Sequence, residues 1–107
     1  MTRAGALVLC LLAGTAVGAA ATFFAVVLAG GGHGTYYAAK ALFPYSMGLT
    51  AFTTSITPPL IVLGLIQFPV YGLAVWLLGK ERWWIVPVTH LAAIPMGFVL
   101  ASPSFTP

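Results

Sequence analysis

His90 is the side chain in this sequence with the widest chemical range. It lies in an apolar stretch, 84–101, that contains no charged residue. A neutral imidazole in such surroundings can ligate the iron of a haem or the magnesium of a chlorophyll, or it can hydrogen-bond to a neighbouring side chain or carbonyl group. The hydrogen-bonded state is the simpler expectation, because the second histidine of a bis-histidine haem would have to be His33, which follows a run of glycines.

Other polar residues also fall within apolar stretches, among them Ser46, Thr50, Gln67 and Thr89. At a helical rise of about 1.5 Å per residue, Ser46, Gln67 and His90 lie about 15, 16 and 9 Å from the ends of their stretches that share one side of the membrane in the four-span arrangement, namely residues 36, 78 and 84. A polar group left unsatisfied in hydrocarbon costs several kcal/mol, so such side chains are expected to face one another. The sequence therefore predicts a buried polar layer formed by these five residues.

Residues for catalysis and metal binding are scarce. Glu81 is the single acid, Cys10 is the single cysteine, and the formal charge is +3. Paired carboxylates, an internal disulfide and a cysteine metal site are therefore excluded within the chain. The basic residues are spread along the sequence and form no stripe for nucleic acid. The sequence predicts neither an enzyme, nor a metal site, nor a nucleic-acid-binding protein.

The elements that position these residues follow from the composition. Of 107 residues, 61% are hydrophobic and 5% are charged, with a mean hydropathy of +1.07. Since soluble domains are about a quarter charged, and a spanning helix needs about 20 apolar residues, we expect a single transmembrane domain (1–107). The charged and turn-forming residues divide it into spans of about 4–29, 36–56, 58–78 and 84–101. The expected fold is an all-α integral membrane protein, an up-down bundle of four transmembrane helices kinked at internal prolines.

The second stretch, 36–56, admits an alternative. It contains Lys40, a proline and several hydroxyl side chains, and an interfacial or re-entrant helix would leave only three spans. Orientation depends on this choice. With four spans the positive-inside rule places Lys40, Lys80 and Arg82 in the cytoplasm, whereas with three spans Arg3, Lys80 and Arg82 are cytoplasmic and Lys40 is external.

Small residues on the first stretch predict a helix-packing face. Gly14, Gly18, Ala21 and Ala25 recur at steps of three and four, and in lipid such residues let two backbones approach closely. A cleaved signal peptide is the alternative for this stretch. Its apolar run continues to Leu28, which favours a retained span.

Together these features predict a small accessory or structural subunit of a larger membrane complex. We expect a multi-pass protein of a bacterial inner (cytoplasmic) membrane, with membrane lipids and other transmembrane subunits as partners. One alternative is a tetrapyrrole-binding module with His90 as axial ligand. A tetrapyrrole and a bound lipid are the two candidate cofactors. Another is a small transporter or channel. The chain resembles the small multidrug exporters in length and span count alone, because its first span lacks their embedded glutamate.

Overall fold

The computed structural model describes residues 2–30 and 34–105, and the regular secondary structure of these residues is entirely helical. The helices are α1 (Arg3–Ala29), α2 (Tyr37–Leu42), α3 (Pro44–Thr53), α4 (Pro58–Leu78) and α5 (Ile85–Leu100), followed by a short 3₁₀ turn (Pro103–Phe105). Both α1 and α4 are long and apolar enough to cross a membrane, whereas α5 is a shorter apolar helix of 16 residues. The predicted all-helical class is confirmed.

Local sequence explains where the long helices begin and end. The Thr2 hydroxyl accepts the Gly5 N–H at 2.9 Å and caps α1. At the other end of α1, Gly30 takes a left-handed conformation with φ of 53°, which glycine adopts without steric cost. Pro58 begins α4, where its missing N–H would have had no partner in the helix.

The internal prolines, at which kinks are expected, occupy two kinds of position. Pro69 and Pro95 lie inside α4 and α5. Pro44, expected inside a continuous second helix, is instead the first residue of α3. The preceding residue, Phe43, has φ of −128° and ψ of 57°, outside the helical region. Where one helix was predicted over 36–56, the structure has two short helices separated at Phe43.

Helices α1 and α4 form the most extensive helix pair and run antiparallel. At one end, Trp76 Nε1 donates a hydrogen bond to the Arg3 carbonyl oxygen at 3.0 Å. Farther along, a Cβ atom on Gly14 would overlap the Phe68 carbonyl oxygen, so the two backbones touch there. This direction of α4 differs from that in an up-down bundle of four spans, in which the first and third helices run parallel.

The residues 37–53, here called the α2–α3 hairpin, enter the bundle and turn back. Tyr37 stacks on Phe98, near the end of α5, with ring centroids 6.1 Å apart. The tip contacts the middle of α4, where the Phe43 and Phe68 rings are 5.7 Å apart. The chain then returns towards the end of α5, and the Thr50 hydroxyl accepts the backbone N–H of Ser102 at 2.9 Å. Both ends of the hairpin therefore lie at the same end of the bundle.

The predicted packing face of α1 points inward. Gly18, Ala21 and Ala25 are buried. Gly14 and Gly18 lie against Phe68 of α4, whereas Ala21 and Ala25 belong to the apolar core that the hairpin completes. Small side chains on this face let α4 and the hairpin approach the α1 backbone.

Lys40 is buried in the hairpin, with 3% of its surface exposed. Its Nζ lies 6.0 Å from the centre of the Tyr37 ring and 5.7 Å from that of Phe98. The four-span interpretation places this lysine on the same side of the membrane as Lys80 and Arg82. It lies instead against Tyr37 of its own helix and Phe98, near the opposite end of α5 from the turn that contains Lys80 and Arg82.

Candidate functional site

The break between α2 and α3 leaves backbone carbonyl groups without hydrogen-bond donors from the backbone. The last carbonyl groups of any helix lack partners within that helix. Here the next helix begins with Pro44, which has no N–H to offer back to α2. The carbonyl groups of Ala41 and Leu42 are therefore left facing the interior of the bundle, where partners must come from other helices.

His90 of α5 supplies one of these partners. Its Nε2 lies 2.8 Å from the Ala41 carbonyl oxygen, and its Nδ1 lies 2.7 Å from the Tyr71 hydroxyl oxygen. A carbonyl oxygen can only accept, so in the neutral ring Nε2 carries the hydrogen and Nδ1 accepts from Tyr71. The Tyr71 and Tyr45 hydroxyl oxygens are 3.2 Å apart, which extends the chain of hydrogen bonds to the tip of the hairpin.

Gln67 of α4 supplies the second partner. Its Nε2 donates to the Leu42 carbonyl oxygen at 2.9 Å. The side chain is 4% exposed, and its Oε1 is buried without a hydrogen-bond partner among the described residues. One turn farther along the hairpin, Ser46 Oγ donates to the Leu60 carbonyl oxygen at 2.9 Å. Three polar side chains thus join the hairpin to α4 and α5.

Two threonines of the predicted polar layer lie elsewhere. Thr50 is fully buried, donates to the Met47 carbonyl oxygen at 2.5 Å and joins the hairpin to the end of α5. Thr89 does not belong to the layer, because it is exposed and donates to the Ile85 carbonyl oxygen of its own helix at 2.7 Å. Adjacent helical residues point about 100° apart, so when His90 faces inward Thr89 faces outward.

The sequence analysis missed the two tyrosines that complete the network. Tyr71 follows Gln67 by four residues, so both lie on one face of α4. That spacing is visible in the sequence and could have indicated Tyr71. Tyr45 gave no such signal, because its place beside Tyr71 depends on the turn of the hairpin.

The polar network of His90, Gln67, Ser46, Tyr71 and Tyr45 acts chiefly by capping backbone carbonyl groups. Both ring nitrogens of His90 are engaged, so ligation of a tetrapyrrole metal would require one hydrogen bond to break. Ser46 and Gln67 likewise bind backbone carbonyl groups. Within residues 2–30 and 34–105, no three His, Cys, Asp or Glu residues come together to hold a metal ion. His33, considered above as a second haem ligand, lies outside the described residues.

No family model, curated protein or solved structure matches this chain.

Proposed function

We propose that this chain is a multi-pass membrane protein in which α1, α4 and α5 cross the bilayer and the α2–α3 hairpin is re-entrant. The 27 residues of α1 and the 21 of α4 rise about 40 and 31 Å, enough for a hydrocarbon core of about 30 Å. The 16 residues of α5 rise about 24 Å, so its flanking residues complete the crossing. Irregular backbone is tolerated at membrane depth when it is buried in protein, and the capped, buried turn at Phe43 meets this condition.

The distribution of charge supports one orientation. The Arg3 guanidinium lies over the Trp76 ring, 4.7 Å from its centre, close to the turn that contains Lys80 and Arg82. We call this end of the bundle the cationic end. The positive-inside rule places it in the cytoplasm, and the hairpin with Lys40 then enters from the external side. A bacterial inner membrane is the proposed location.

Within that membrane we propose the role of an accessory subunit that packs between other helices and stabilises a larger complex. The observation that carries this proposal is that His90, Gln67 and Ser46 are each committed to a carbonyl group of the chain's own backbone. Such bonds hold a fold together, and they occupy both ring nitrogens of His90 together with the Tyr71 contact. The outer face of α1 is meanwhile apolar and exposed, as at Leu12 and Phe23.

Photo-crosslinking in native membranes tests this role. Leu12 and Phe23 are eleven positions apart, about three helical turns, and therefore lie on one face of α1. A photoreactive residue at either position is expected to capture the same polypeptide in constant proportion to this chain. The same residue at Ala21, which is buried against the chain's own core, is the control and should capture no other protein. Recovery of the chain as a monomer, with both outer positions capturing only lipid, would contradict the proposal.

A further inference from the structure

An apolar groove opens between α1, α4 and α5, and its lining residues come from these three helices. It has a volume of about 490 Å³, and its walls include Ala13 and Val17 of α1, Gly72 and Val75 of α4, and Val86 of α5. The groove exists because α4 and α5 touch each other little, since both pack mainly on other helices. His90 and Tyr71, which do join α4 to α5, form part of its lining.

The groove leads to the cationic end. Val75 and Val86 lie on either side of the turn 79–84, which joins α4 to α5 and contains Lys80 and Arg82. Trp76 follows Val75 in α4, and the Arg3 guanidinium lies over its ring. Arg3, Lys80 and Arg82, with the one carboxylate of Glu81, therefore belong to the end of the bundle towards which the groove leads.

The chemistry of the groove indicates its occupant. Its walls are formed almost entirely by apolar side chains, which suit a hydrocarbon chain. The basic residues at the cationic end suit an anionic headgroup on the same molecule. An anionic lipid combines both features.

We propose that this groove binds one acyl chain of an anionic phospholipid whose phosphate is held by the basic residues of the cationic end. Arginine and lysine near a membrane surface attract anionic lipid, and Arg3 is already positioned by its contact with Trp76. The proposal rests on the membrane insertion proposed above. It does not depend on the accessory-subunit role, because the lining comes from this chain alone.

Native mass spectrometry of the purified full chain in detergent tests the site. The probes are phosphatidylglycerol and phosphatidylcholine with identical acyl chains. We expect one phosphatidylglycerol to be retained in preference to phosphatidylcholine. Replacing Arg3 by Gln should reduce that preference about fivefold, since one basic residue contributes about 1 kcal/mol at a membrane surface. Arg3→Lys should restore most of it. Equal retention of the two lipids, or no effect of Arg3→Gln, would overturn the proposal.

A second pair of variants tests the groove itself. Ala13→Phe fills the groove, whereas Ala16→Phe adds the same ring to an exposed position of α1 outside it. Only Ala13→Phe is expected to displace the bound lipid, with circular dichroism showing that both variants keep their helices. Lipid retention unchanged in Ala13→Phe would overturn the groove as the site.

The single cysteine gives an independent readout, because Cys10 lines the groove. Its alkylation by a small permeant maleimide should slow as phosphatidylglycerol is added, but not as phosphatidylcholine is added. Recovery of the folded chain without any amphiphile would refute membrane insertion and this site together. Lipid binding without selectivity by an inserted chain would refute this site alone. A photoreactive group at Ala13 that captures protein rather than lipid in native membranes would also contradict it.

Discussion

The Nε2 atom of His90 lies 2.8 Å from the carbonyl oxygen of Ala41, a residue 49 positions earlier in the chain. Through this bond a side chain from α5 caps the end of α2. The backbone turns there and provides no N–H group for the last carbonyl groups of the helix. Gln67 of α4 does the same for the next carbonyl group, that of Leu42. The polar residues of this apolar chain thus permit a broken helix in its interior.

Removal of the His90 donor should destabilise the fold. In His90→Phe the Ala41 carbonyl group loses its partner and the Tyr71 hydroxyl keeps only Tyr45, and a buried unsatisfied group costs about 1–3 kcal/mol. Unfolding in mixed micelles with increasing denaturing detergent, followed by circular dichroism, measures the change. Thr89→Val is the control on the same helix, since this exposed hydroxyl bonds only within α5, and its effect should stay within about 0.5 kcal/mol. A His90→Phe variant as stable as Thr89→Val would contradict the capping role.

Close approach of α1 and α4 makes Gly14 intolerant of a methyl group. A Cβ atom at Gly14 would overlap the Phe68 carbonyl oxygen, which belongs to the backbone and cannot move aside. Gly14→Ala is therefore expected to lose about 1–3 kcal/mol of unfolding free energy. At Gly48 the nearest atom is Met96 Cγ at 3.2 Å, part of a flexible side chain. Gly48→Ala should be close to neutral in the same assay, and equal losses in the two variants would refute the backbone contact.

The sequence predicted most of the helices but not the path of the second one. Apolar runs bounded by Thr57, Pro58 and Gly79 gave α4 the limits that the structure shows. The stretch 36–56 has the length and composition of a spanning helix, and a proline within it is compatible with either a kink or a reversal of direction. The donors that make reversal possible, His90 and Gln67, lie far along the chain. No local window of sequence contains them.

The candidate site was predicted in part for the same reason. Counting depth along helices brought Gln67 and His90 to similar levels, and both do act on adjacent carbonyl groups of the hairpin. The count could not show which way a residue points around its helix, and so it included the outward-facing Thr89. The partners of these side chains are backbone carbonyl groups that lack a donor because the helix breaks at Phe43. In a continuous helix these carbonyl groups would be bonded within the helix.

Lys40 should prove dispensable for stability. Its side chain is buried among aromatic rings, with Nζ near the 6 Å limit of useful cation–π contact. A charge within a membrane helix costs about 2.5–3.5 kcal/mol at its centre, so Lys40→Met is expected to stabilise the fold by about 1 kcal/mol. Lys80→Met, at an exposed position, is the control and should change little. Marked destabilisation by Lys40→Met would show that the ammonium group makes a required interaction.

The re-entrant hairpin is tested most directly by the sidedness of single cysteines. With Cys10 replaced by Ser, cysteines at Thr35, Ser55 and Glu81 can be labelled by an impermeant maleimide in right-side-out and inverted vesicles. If the hairpin returns to the side it entered, Thr35→Cys and Ser55→Cys react from one face and Glu81→Cys from the other. If residues 36–56 cross the membrane instead, Thr35→Cys and Glu81→Cys share a face and Ser55→Cys reacts from the opposite one, which would contradict the structure proposed here.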